Sequence, residues 1–171
     1  MNPRSRITAT LLAWVAMIGI DLLLHAGLLA PLYDWDSPFL LSPQEAFDRI
    51  PAGYLAFGVL AGGLVWLIGR IGIRSPWEAA RIGAIGGAVA WGALLLGLWS
   101  ISSADPSLLA AWWVGQTAQL AIGGYAAGLV LTGARLRSVA WGVVAILLMG
   151  AVVAIVLQSV GYAPAPVIIN S

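Results

Sequence analysis

Asp21 and His25 stand four residues apart inside a long apolar run, in the stretch Gly19-Ile-Asp-Leu-Leu-Leu-His-Ala-Gly27. On a helix that spacing stacks a carboxylate and an imidazole on one face, close enough to bond each other or one shared object. An ionisable group within hydrocarbon costs at least a few kcal/mol unless paired or wetted, so it marks a pathway, a ligand site or a packing clamp. Burial and pairing act on their protonation in opposite senses. Either way the pair could exchange a proton near neutral pH, as a coupled carrier requires.

Other chemistries fit the residue types less well. A catalytic metal centre usually needs three protein ligands, and the chain offers one histidine and no cysteine. One histidine also excludes bis-histidine haem, leaving only a single His25 ligand for that reading. A relay can be drawn from Ser100, His25 and Asp21, but acid and base on one helix at this spacing is no triad signature, and no oxyanion donor can be named. No catalytic residue, metal ligand or cofactor is therefore assigned. The arginines are few and lie at helix ends, which argues against nucleic acid as a partner.

The elements that must hold these groups are membrane helices. With 61% hydrophobic and 9% charged residues, a chain of 171 has too little polar surface to cover a water-soluble globule. Five apolar runs, about 7–32, 50–71, 77–101, 107–132 and 139–162, each reach the ~20 residues needed to cross ~30 Å of hydrocarbon. The expected fold is all-α: a single polytopic domain of five transmembrane helices. The first run follows Met1-Asn-Pro-Arg-Ser-Arg6 as a signal peptide would, but it outlasts a signal core of ~7 to 15 residues and is read as a retained helix.

All basic residues are arginine, and Arg4, Arg6, Arg70, Arg74, Arg81, Arg135 and Arg137 fall at alternate ends of the runs. The remaining segments carry Asp34, Asp36, Glu45, Asp48 and Asp105 against Arg49 alone. By the positive-inside rule the N-terminus is cytoplasmic and the C-terminus outside, in a cell inner (plasma) membrane. The outer loop, 33–49, contains Ser42-Pro-Gln-Glu45, a capping box that predicts a short interfacial helix over about 43–50, with Pro51 opening the second span. Asp105-Pro106 caps the fourth span.

Sliding the chain by 65 residues aligns Leu55, Ala56, Gly58, Ala61, Gly63, Leu64, Val65 and Arg70 with Leu120, Ala121, Gly123, Ala126, Gly128, Leu129, Val130 and Arg135. An offset of 64 pairs Trp77 with Trp141 and Gly86 with Gly150 in the following spans. Spans two and three would then be a hairpin repeated as spans four and five. Gly58 with Gly62, Gly83 with Gly87, and Gly124 with Gly128 each put two glycines on one helix face, a signal for close backbone approach in lipid.

Depth places the polar residues together. At ~1.5 Å per residue from Ile7, Asp21 lies ~21 Å and His25 ~27 Å across, with Tyr54 ~5 Å below the outer surface. Trp99 and Ser100 close the third span, and Trp112, Trp113, Gln116 and Gln119 open the fourth. The expectation is a cavity open to the outside, with Asp21 and His25 at its polar end, the glutamines deeper, and Trp99, Trp112 and Trp113 as walls for a small, partly apolar solute. The competing expectation is a structural or accessory subunit in which Asp21 and His25 clamp helices through Tyr54 or Gln116. Trp35, Trp77, Trp99 and Trp141 read as interfacial anchors. Expected partners are bilayer lipid, a small-molecule ligand, and a second copy or another membrane protein. In size, span number and tryptophan content the chain resembles the five-span tryptophan-rich sensory proteins, a likeness of architecture that implies no residue roles.

Overall fold

The computed structural model describes residues 3–33 and 37–163; Asp34, Trp35 and Asp36 lie outside them. The described residues form five helices and no strand: α1 Pro3–Leu23, α2 Pro43–Ile71, α3 Pro76–Ile101, α4 Pro106–Leu131 and α5 Leu136–Ser159. α1 continues as a π-helical turn over Leu24–Leu28 and, after Leu29, a 3₁₀ turn over Ala30–Leu32. The segments Pro3–Leu28, Gln44–Ile71, Pro76–Ile101 and Leu136–Ser159 are long and apolar enough to cross a bilayer. This is a helical membrane protein.

Local sequence sets the helix starts. Ser42 accepts from the Glu45 N–H while the Glu45 carboxylate accepts from the Ser42 N–H, closing the expected capping box. Ser75 and Glu78 repeat the arrangement at α3, with Glu78 accepting from Arg74 N–H. Asp105 accepts from the backbone of Ser107 and Leu108 at the head of α4.

One expectation is corrected. Instead of a short helix ending at Pro51, the chain runs as a single 29-residue helix with Pro51 inside it. The ring removes only the bond to the Phe47 carbonyl, and that stretch is exposed, so other partners can satisfy it. From Gln44 to Ala56 no described side chain of α2 is buried; its core stripe starts at Phe57 and continues through Ala61, Leu64, Val65 and Ile68.

α4 is the best-covered helix, with eleven buried residues against four in each of α3 and α5. It packs most extensively on α3, then on α1, while α1 also lies along α5 and α2. Contact patterns give the directions: Asp21 meets Gln119 and Met17 meets Gly123, so α1 and α4 are antiparallel. Gly19 meets Gly150 and Ala26 meets Gln158, so α1 and α5 are parallel. Within each half of the supposed repeat the helices touch little, α2 with α3 and α4 with α5, and the broad contact is between α3 and α4.

The glycine faces explain that contact. A methyl group on Gly83 would strike the Leu120 carbonyl, and one on Gly124 the Ala79 carbonyl; on Gly87 and Gly128 it would stand 3.0 and 2.8 Å from the Thr117 and Pro76 backbone. The pairs Gly83/Gly87 and Gly124/Gly128 thus form one seam. Gly58 and Gly62 do not bring a backbone close: the Trp14 indole fills the space at 3.5 Å from Gly58, and Thr10 is 4.0 Å from Gly62. The α1–α5 crossing rests instead on Gly19 and Gly150, backbone against backbone.

Candidate functional site

The polar side chains of α1 and α4 converge toward the end of α1. Gln119 Nε2 donates to Asp21 Oδ1 at 2.7 Å. His25 Nε2 lies 4.0 Å from the same oxygen, and its Nδ1 is 2.7 Å from the Tyr33 hydroxyl. Trp112 Nε1 donates to that hydroxyl at 2.8 Å, so Tyr33 joins the histidine of α1 to the indole of α4. Asp21 and His25 keep 19% and 13% of their side-chain surface exposed.

Backbone irregularity makes this meeting possible. In the π turn Leu29 N–H reaches Leu24 O at 2.7 Å, an i→i−5 bond that widens the helix where His25 sits. Gly115 on α4 lies under the ring; a methyl there would stand 2.8 Å from His25 Nε2. Pro31 then ends the helix in a 3₁₀ turn, and the chain folds back so that Tyr33 returns over His25, edge to face. The last carbonyls of α1 are met from α5: Gln158 Nε2 donates to Ala26 O and the Tyr162 hydroxyl to Leu28 O. Burial pushes the Tyr33 phenol up to about 12, against the lowering effect of the Trp112 bond.

Among the described residues, four buried polar side-chain atoms have no hydrogen-bond partner: His25 Nε2, Gln116 Oε1, Gln119 Oε1 and Thr117 Oγ1. Gln119 is wholly buried and Gln116 is 9% exposed. His25 and Gln119 belong to the α1–α4 contact, Gln116 lies three residues before Gln119 on α4, and Thr117 faces Gly87 of α3. Among the described residues, no group of three His, Cys, Asp or Glu side chains could hold a metal ion.

Of the residues expected to form the site, Asp21, His25, Trp112 and Gln119 are joined through hydrogen bonds and the close acid–imidazole approach, with Gln116 on the same α4 stripe. Four others are not bonded into this network. Ser100 is exposed and donates to Gly97 O of its own helix, which removes it from any relay with His25. Trp113 donates to Ala88 O and covers Gly92, and with Trp99 it lines an apolar groove of ≈ 330 Å³ on the flank of α3 and α4. Tyr54 contributes its carbonyl to Trp14 Nε1 and its ring to Phe57, with no hydrogen bond to Asp21 or His25. Tyr33 is the residue that sequence reasoning missed; Pro31, two positions before it, is the signal that the chain turns back there. Trp77, Trp99 and Trp141 are exposed, consistent with anchors at the ends of membrane helices.

No protein-family model matches the chain, and neither do any curated protein or solved structure. The architectural likeness to tryptophan-rich sensory proteins thus gains no support from these comparisons.

Proposed function

We propose that the protein is a multi-pass inner (plasma) membrane protein that binds or transports a small, partly apolar solute at the Asp21–His25 layer, reached from the outer side. One observation carries the reading: side chains from α1, α4 and the Tyr33 turn converge on one level, yet His25 Nε2, Gln116 Oε1 and Gln119 Oε1 are buried without partners. Polar atoms buried in this way cost about 1–3 kcal/mol each, a cost that a bound group or water would relieve. The arginine distribution supports five spans with the N-terminus cytoplasmic and this layer in the outer half. Tyr33, Trp112 and Phe39 supply aromatic surface beside it.

A second reading has its own support. The 2.7 Å bond from Gln119 to Asp21 ties α1 to α4, as a clamp in an accessory subunit would, with the exposed outer faces left for a partner or a second copy. Replacing Asp21 with Asn separates the two. The solute reading expects the variant to fold and to lose binding or its pH dependence, measured by ligand retention through mild purification and mass spectrometry. The clamp reading expects Asp21→Asn, whose amide oxygen still accepts from Gln119, to stay stable, and Asp21→Ala to lower stability or lose a partner, with no ligand in any of these proteins. Normal binding by Asp21→Asn would rule out the solute reading at this site.

A further inference from the structure

Resting on the solute reading, we infer that the group recognised in this layer is a small monovalent cation, an ammonium head or an alkali ion, held by the Asp21 carboxylate and the side-chain oxygens of Gln119 and Gln116. Hydrogen-bond capacity gives the sign of the charge. Gln119 spends its amide N–H on Asp21, and its wholly buried oxygen has no donor. Gln116 adds a second such oxygen. The Trp112 N–H is already engaged with Tyr33. With the Tyr33 hydroxyl against Nδ1, His25 Nε2 is the one buried side-chain nitrogen without a partner among the described residues, 4.0 Å from Asp21 Oδ1; acceptors still outnumber donors in the layer, and one of them is a carboxylate. A carboxylate or phosphate ligand would bring more acceptors and repel Asp21; a cation supplies what is missing.

The surroundings agree. Among the described residues the titratable groups near this layer are Asp21, His25, Tyr33 and Tyr54, and no arginine lies among them: seven sit at the far ends of the helices and Arg49 on the exposed start of α2. Among the described residues the near side carries Glu45, Asp48 and Asp105 against Arg49, three negative charges to one positive, which raises the local concentration of cations. A single carboxylate with neutral oxygens balances one positive charge. Divalent ions favour more carboxylates, and no metal-binding group of three is present among the described residues. The faces of Tyr33 and Trp112 offer an ammonium group a further attraction.

The test is thermal unfolding of the detergent-purified protein at constant ionic strength, with N-methyl-D-glucamine chloride replaced stepwise by sodium, potassium or methylammonium chloride. A saturable rise in midpoint is expected with at least one of them; sodium or potassium alone identifies an alkali ion, methylammonium alone an ammonium head. Asp21→Asn and Gln119→Leu, each confirmed as helical and monodisperse, should weaken the half-saturating concentration by about tenfold or more, and Gln119→Glu, which keeps the acceptor, should retain binding. No cation-specific rise in the wild-type protein, or an unchanged response in Asp21→Asn, overturns the proposal. Should a panel of neutral solutes instead stabilise the protein through Asp21, the ligand site survives and its cationic nature falls. If neither cations nor neutral solutes act and Asp21→Asn only loses stability, both readings fall.

Discussion

Gln119 and Asp21 lie 98 positions apart in the chain and meet at 2.7 Å across the α1–α4 interface. Interhelical hydrogen bonds within membranes are worth about 0.6–2 kcal/mol, and leaving the carboxylate oxygen without its donor adds to the loss. Gln119→Leu should therefore lower unfolding free energy by about 1–3 kcal/mol. In a double-mutant cycle with Asp21→Ala, which removes the acceptor, the combined loss should be smaller than the sum of the single ones. Strict additivity would show that the two side chains do not support each other.

The α3–α4 seam makes a sharper contrast. Gly83→Ala drives a methyl group into the Leu120 carbonyl, whereas Gly86→Ala meets nothing within 4 Å, only three residues away on the same helix. The first should cost at least ~2 kcal/mol, because backbone must move on both helices. The second should be neutral or stabilise by about 0.4–1 kcal/mol through the restricted unfolded chain. Chemical or thermal unfolding of both variants in one detergent measures the difference.

Tyr33 supplies a pH signature outside the spanning segments. Its phenol is raised from 10.0 to about 12 by burial, so the folded protein holds this proton more tightly than the unfolded chain does. The resulting stabilisation is complete below pH 10 and is lost as pH rises through about 12. Absorbance titration at 295 nm should show one tyrosine ionising late, absent in Tyr33→Phe. A wild-type curve without that late component would place Tyr33 in water rather than against Trp112.

The sequence made the helices and much of the polar layer legible, and the failures have a common cause. Asp21 with His25, and Trp112, Gln116 and Gln119, were found because spacings of three and four report a shared helix face. Depth alone grouped Trp99, Ser100, Trp113 and Tyr54 with them, but depth carries no azimuth. Trp112 and Trp113 are adjacent yet about 100° apart around the helix, so one bonds Tyr33 and the other Ala88 on α3. Gly19 and Gly150 escaped notice because each makes its close contact across two helices without a glycine four residues away on its own. Tyr33 escaped because its position depends on a π turn and a 3₁₀ turn, and neither leaves a periodic pattern.

α4 differs from its neighbours in a way that bears on how the protein is made. Its two glutamines, Gln116 and Gln119, are buried, on the helix most enclosed by the others. In lipid alone those amides would lack partners that the finished bundle supplies, as Asp21 does for Gln119. The short link from Ile101 to Pro106 and the fitted glycine seam allow α3 to escort α4 as a hairpin during synthesis. The seam therefore bears on assembly as well as packing: Gly83→Ala should lower the yield of inserted protein along with its stability.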